Sequence, residues 1–492
     1  MARGSDHILT FGGGPEPSHN QQSLERNILY FRSILQLLHM DKVPHDIFFA
    51  DGTSSSRIVQ YRDTVPAADD ITSVLASIYD DDADSLTLRF RPAAIPGMAG
   101  PSTPPAINKW FDGVGKTLAA HDRLLIYFTG HGGQPDRRHP RDTVLYTWNN
   151  SSMAVHEFVA QLDKLDPSVD VTMVMVQCHS GGFANVIYNH GDPAKGLSKY
   201  HRCGFFATIP NRPAAGCTPD IDEDDYQEFS TTFFAALAGK TRAGKTIERP
   251  DYDHNGVTTL AEAFTYVLLT SDTIDIPMTT SDQYLFDQFP QDDSRFRSRK
   301  LANTTPISDP FSTILAAATP AQKAALEGLS TQLKLDGEDR LAAARLAASD
   351  VDKQRRGLEQ EERGEQTLSD AARERLKRDV TMRWPEFDIP WHPQAAALAT
   401  AQSTVIMDAI VRDPSYKEFI DAQNKEEAAA EKDLDLERHW AKLMRFINRT
   451  EVVARAAQLE KSGTPEVIAA YKMLTARENQ PLNWTNPTLA RP

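Results

Sequence analysis

Two side chains in this sequence are placed to do nucleophilic chemistry. Val171 to Gln177 (VTMVMVQ) holds five apolar residues in seven and then breaks into Cys178-His179-Ser180-Gly181-Gly182. Leu124 to Thr129 (LLIYFT) is a second apolar run, ending in Gly130-His131-Gly132-Gly133. Buried strands that stop at a reactive residue and a glycine turn put that residue at the carboxyl edge of a sheet, where open α/β sheets hold their ligands. A free thiol has a pKa of about 8.5, so Cys178 needs a base to attack a carbonyl. An imidazole within reach can take the thiol proton and later return it to a leaving amine, which gives His131 its role. Glycines beside both residues let a substrate strand approach, and the N–H groups of Gly132 and Cys178 are the expected donors to a tetrahedral oxyanion. The plain alternative is an inert buried cysteine and a histidine in a turn.

YFTGHGG and QCHSGGF, with the histidine 47 residues ahead of the cysteine, resemble the two signature blocks of the caspase-like cysteine peptidases, the clan of caspases, legumains, metacaspases and gingipains. Cys-His-Ser-Gly is similar to the metacaspase nucleophile block, while the order of elements looks more like bacterial relatives of legumain. The likeness spans roughly residues 6 to 290. It implies a caspase-like α/β/α sandwich with a mostly parallel sheet and peptide-bond hydrolysis through a thioester, with no cofactor for the chemistry itself. It further implies that the loop after the first strand lines the primary specificity pocket. Here that loop offers Ser18, His19 and Asn20, of which His19 and Asn20 are taken as substrate-binding by region; Asn20 could equally cap the following helix. The loop Pro210 to Asp220 would form another pocket wall. After it comes an acidic cluster, in which Asp224 and Asp225 are either a rim that selects Arg or Lys or a solvated face. Metacaspases carry an aspartate two residues before the nucleophile where this chain has Val176, so a small or Asn-like preference stays open.

The elements that must position these residues follow from periodicity. His7 to Phe11 reads as a first strand. Asn20 to His39 has apolar residues at 24, 28, 31, 35 and 38, which is helical spacing. Asp46 to Ala50 reads as a second strand, and strand–helix–strand order points to a doubly wound sheet. Asp51 to Pro105, with its Ser, Asp and Pro runs, reads as a long surface excursion. A helix is expected over 107–120, a short strand over 144–148, a helix over 152–165, and a helix-like pattern from Phe183. A strand over 204–209 and a helix over 226–238 complete the series. His139, next to Pro140, is a rival base by type only and is read as a surface residue. His179 is read as structural.

Asp251, Asp253, Asn255, Gly256, Val257 and Glu262 fit the D-x-[DN]-x-[DN]-G-x₅-E calcium loop, with Val257 supplying its carbonyl. The helix before the loop is poor, so a hydrogen-bonded turn capping the next helix is the alternative. The proline-rich and polar passage 271–308 closes the domain. From Phe311 to Thr475 the chain is rich in Ala, Glu, Lys, Arg and Leu and reads as several long helices, with Trp384 and Trp391 packed into their core. Two domains are therefore expected, a peptidase domain at 1–300 and a helical regulatory or interaction domain at 301–492 that could dock a protein partner.

The 492 residues carry a net charge of −15. Residues 305–492 hold 26 Lys and Arg against 30 Asp and Glu, so most of the acidity lies on the part that bears the motifs. That balance disfavours nucleic acid and anionic membrane as partners. Three cysteines in so long a chain make no disulfide framework, and no apolar run has signal or membrane-spanning length. A cytoplasmic protein acting on a peptide or protein substrate is expected. A catalytically silent module of the same fold and a peptide ligase on the same site are the rival functions.

Overall fold

The computed structural model describes residues 4–63, 70–79, 87–135, 139, 141–289 and 307–482. Contacts divide the chain into two compact units that do not follow chain order: residues 1–60, 90–348 and 441–492 form one, residues 61–89 and 349–440 the other. Residues 307–348 and 441–482 of the expected helical region thus belong to the unit that holds Cys178.

The first unit is built on strands β1 (Asp6–Gly13), β2 (His45–Phe49), β3 (Arg123–Gly130), β4 (Asp170–Met175), β5 (Arg202–Phe206) and β6 (Met278–Thr279). Its helices include α1 (Gln22–Leu37), α2 (Pro104–Asp112), α3 (Val155–Leu162), α4 (Phe229–Ala238), α5 (Leu260–Thr270), α6 (Thr280–Gln288), the end of α7 (Pro414–Ser462) and α8 (Pro465–Glu478). The sheet order is β6-β5-β4-β3-β1-β2, parallel except for β6. This is the expected mostly parallel α/β sandwich, accompanied by a C-terminal helical region.

Side chains alternate across a strand, and the two cores follow that period. Leu124, Ile126 and Phe128 of β3 join Val171, Met173 and Met175 of β4 on the face covered by α2 and α3, with Trp110, Phe111 and Phe158. Leu125 and Tyr127 join Val174 on the other face, against Phe31 and Ile34 of α1, Phe233 and Phe234 of α4, and Phe264 of α5. The strands read as near-continuous apolar runs because both faces are buried.

Several expectations change. Residues 180–187 form 3₁₀ turns instead of the helix expected from Phe183, since Gly181 and Gly182 disfavour a regular helix. Ser151–Ala154 is a strand, and the helix expected from 152 starts at Val155. The passage 271–308 contains β6 and α6, each too short for its period to stand out. The excursion at 51–105 contains a helix, Ile71–Tyr79, and two short strands, Val59–Arg62 and Leu88–Arg91.

The second unit takes its core from Val74, Leu75 and Ile78 with Leu376, Val380, Phe387, Ala395, Ile406 and Ile410. Trp384 packs against this core, but Trp391 is 47% exposed, so only one of the two tryptophans is internal. Arg355 joins Asp433 at 2.8 Å and Glu437 at 3.1 Å, tying its long helices together.

Candidate functional site

The crossover reverses at β1. β2 lies on one side of it and β3 to β5 on the other, so the β1 and β3 loops diverge at a topological switch point. Phe128 of β3 pairs in parallel register with Met175 of β4. His131 and Cys178 each lie three residues beyond that pair, so they leave neighbouring strands, about 4.8 Å apart in such ladders, at the same height. Gly132 shows how close the two loops run. A Cβ there would fall 2.2 Å from the Cys178 carbonyl oxygen and 2.5 Å from Cγ of Gln177, so no larger residue fits without moving the turn that bears Cys178.

His131 is anchored by the loop after β1. Its Nε2 lies 2.8 Å from the His19 carbonyl oxygen and 2.9 Å from Oε1 of Gln21. Both partners accept, so Nε2 carries the proton and Nδ1 is left with the lone pair. Burial holds the imidazole below its ordinary pKa, partly opposed by the His19 carbonyl. The ring is therefore neutral near pH 7 and can act as a base. Gly14 shapes the same loop, since a Cβ on it would fall 1.8 Å from that His19 oxygen.

The Cys178 sulfur accepts the Ala214 N–H at 3.3 Å and lies 3.8 Å from the Ala214 carbonyl. Burial raises its pKa first, with a smaller contribution from the negative charge of Asp275, so it rests as a thiol. Among the described residues it makes no hydrogen bond to His131. The Tyr146 N–H donates to the His131 carbonyl at 2.9 Å, and Gly132 stands opposite Leu145. Alternation in an antiparallel ladder then leaves the Gly132 N–H outside that pairing. No backbone carbonyl among the described residues accepts the Cys178 N–H, so both expected oxyanion donors are unclaimed by neighbouring strands.

His19 lies beside His131, its ring edge-on to that imidazole at 6.0 Å between centroids, and is paired with Glu16. Asn20 is wholly buried. Its Oδ1 accepts the Gly14 N–H and its Nδ2 donates to the Ile58 carbonyl, both at 2.9 Å. Asn20 therefore shapes the loop instead of facing a substrate, and Gln21, not Asn20, stands at the helix N-cap. Asp224 and Asp225 are exposed, and neither is among the charges acting on Cys178. The acid that does act on it is Asp275, 1% exposed, with its pKa pushed up to about 6 by burial. His179 adopts a left-handed conformation at φ 61° and donates from Nδ1 to the Pro210 carbonyl at 2.9 Å, the structural duty expected of it. His139 is exposed. All three cysteines are free.

The loop 251–262 brings ligand atoms of Asp251, Asp253 and Glu262 within 4.8 Å of one another. Asp251 accepts the N–H groups of Asn255 and Gly256, Asn255 accepts that of Val257, and Glu262 caps Thr259 and Tyr252. An ionised carboxylate has about four acceptor sites, so these bonds leave lone pairs for a cation. The residues fit a hard, oxygen-seeking ion and also satisfy the helix cap without one.

Gln21, Ala214 and Asp275 were not foreseen. Their types carry no signal, and only the meeting of distant loops gives them a role.

No protein-family model and no curated protein matches the chain. Among solved structures it is similar to the crystal structure of protein GSU0716 from Geobacter sulfurreducens, at 13% identity and a TM-score of 0.32, over 56% of this chain and 92% of that one. A likeness that distant carries no argument about function. No helix among the described residues is long and apolar enough to cross a membrane.

Proposed function

We propose that this chain is a cysteine endopeptidase of the caspase-like clan, acting on a peptide or protein substrate in the cytoplasm. The observation that carries the reading is the exit of His131 and Cys178 at one height from adjacent parallel strands, with His131 Nε2 anchored. Nδ1 takes the thiol proton as the sulfur attacks the scissile carbonyl carbon. The oxyanion accepts the N–H groups of Gly132 and Cys178. Collapse breaks the C–N bond, the leaving amine takes the proton from Nδ1, and water then attacks the thioester with the same imidazole as base. Transfer of the acyl group to an amine instead of water would be ligation on the same atoms.

The test is a peptide library presenting each residue type before the cleaved bond, read by mass spectrometry, with Cys178→Ala as control. Cleavage that disappears in the variant supports the reading; undiminished cleavage removes the assigned nucleophile. One observation favours a second reading, a silent binding module: the sulfur rests as a thiol against Ala214. Absence of turnover together with failure of an electrophile to label Cys178 would select it.

Calcium is proposed as a stabilising or activating ion held by Asp251, Asp253, Asn255, the Val257 carbonyl and Glu262. Supporting it is the convergence of three carboxylates. Thermal unfolding in millimolar Ca²⁺ against chelator should show a Tm rise that Glu262→Gln abolishes; equal Tm values would leave the loop as a helix cap. The helical region is proposed to dock a regulatory protein partner.

A further inference from the structure

Arg445 lies on α7, far along the chain from either motif, yet it is 1% exposed. Its guanidinium donates to three backbone carbonyls of one segment: Asp275 at 2.8 Å, Ser271 at 2.6 Å and Thr273 at 2.8 Å. A buried arginine left without acceptors would be costly, and here every donor nitrogen is matched by a turn with no regular structure of its own. Asp275, at the end of that turn, accepts the Ala215 N–H on Oδ1 at 2.8 Å, while its buried Oδ2 has no partner among the described residues. The preceding residue, Ala214, is the one that holds the Cys178 sulfur. Arg445, the 271–275 turn, Asp275, Ala215, Ala214 and Cys178 therefore form one unbroken series of contacts, buried at Arg445 and Asp275 and half-buried at the 214–215 backbone and the sulfur.

We infer that Arg445 is a positioning residue of the proposed nucleophile: by gripping the 271–275 turn it holds Asp275 against the 214–215 backbone and so sets the pose and surroundings of Cys178, making the end of α7 a support of the site. This rests on the peptidase reading only for its effect on turnover. The contacts themselves predict a changed thiol in any case. The charged and titratable groups around Asp275 are Arg445 from α7, Glu228 at the start of α4, and the thiols of Cys178 and Cys217. Loss of the Asp275 charge favours thiolate at Cys178. A loosened 214–215 backbone admits water to the sulfur, which favours thiolate, and withdraws the Ala214 N–H, which disfavours it, and burial is the larger of these two influences. Both variants therefore move thiol ionisation to lower pH.

The experiment is the rate of Cys178 alkylation by iodoacetamide against pH in the full chain, counted by mass spectrometry, beside kcat and KM on any peptide the library identifies. Arg445→Met should shift the alkylation midpoint to lower pH and cut kcat at least tenfold with a smaller change in KM. Arg445→Lys, whose single ammonium cannot span three carbonyls, should fall between. Asp275→Asn keeps an acceptor for Ala215 but loses the charge, and should shift the midpoint in the same direction. Lys472→Ala, an exposed substitution on α8, is the control and should shift nothing. Should Arg445→Met fail to fold, Arg445→Lys and Asp275→Asn decide. Wild-type midpoints in folded variants at both positions would overturn the inference. Shifted midpoints without turnover in any form would keep it and discard the peptidase reading.

Discussion

The two edges of the central sheet are built from the same strands and treated in opposite ways. At the amino edge, every strand next to the switch point begins with a charge that is answered. Asp6 of β1 meets Arg123 of β3 at 2.5 Å, Asp170 of β4 meets His201 at 3.1 Å and Arg477 of α8 at 3.6 Å, and His7 meets Asp46 at 3.1 Å. Of these groups Asp6, His7, Arg123, Asp170 and Arg477 line a cavity of about 270 Å³, with the end of α8 on its wall. At the carboxyl edge the same strands run out into glycines, His131 and Cys178, and among the described residues neither side chain hydrogen-bonds to a charged group. Burial keeps both neutral. The contrast fits the proposed chemistry: an ion pair would lock the imidazole in its charged form, whereas a neutral imidazole and a neutral thiol could exchange a proton once a substrate arrived.

That contrast can be broken at either edge. The largest effect is expected from His131→Asn, which should lower kcat about 10² to 10⁴-fold, the usual worth of a positioned acid–base group, while leaving thermal stability within a few degrees. Because burial holds the His131 pKa below its ordinary value, the acid limb of wild-type activity should lie below about pH 6.5. An unchanged kcat, or an acid limb well above that pH, would mean that the imidazole is not the base.

Next in size is a pH effect where α8 meets α6. Glu478 is buried, and burial pushes its pKa up to about 7 from an ordinary 4.5. The folded chain thus holds this proton more tightly than the unfolded chain. Stability from it is fully present below about pH 4.5 and is lost as pH rises through about 7, amounting to roughly 3 kcal/mol. Glu478→Gln should flatten that part of the stability–pH curve, measured by denaturant unfolding between pH 5 and 8. Catalysis at a fixed pH should be unaffected, because among the described residues the Glu478 carboxyl accepts hydrogen bonds from Thr280 and Ser281 of α6, away from His131 and Cys178.

The smallest effect is expected from Arg123→Met at the amino edge. It removes a partly buried pair whose side chains are 18% and 14% exposed and should cost about 1–2 kcal/mol of stability with kcat unchanged. A fall in kcat with stability unchanged would reverse the contrast.

How much of this was legible in the sequence depends on the range of the interaction involved. β1, β3, β4 and α1 could be read within a residue or two because each is long and carries an unmistakable apolar period. β6 and α6 could not, since two strand residues and nine helical ones between polar neighbours leave no period to detect. The same holds at the site. His131 and Cys178 announce themselves by type and by the strands before them. Asn20 misled because the same side chain that could face a ligand can equally bond Gly14 and Ile58, and only the folded loop chooses. Asp224 and Asp225 stand out as part of a charge run, while Asp275, the acid whose charge acts on Cys178, belongs to none.

By itself, the sequence determined the α/β order, the both-sided burial of the central strands and the two residue types facing chemistry, because these depend on local period and on side-chain character. The tertiary structure alone decided that His19 and Gln21 orient the imidazole, that Ala214 holds the sulfur, and that Arg445 reaches the turn bearing Asp275. Those contacts join segments up to 174 residues apart, and nothing in a local stretch of chain encodes which distant backbone carbonyl will lie in front of a given side chain.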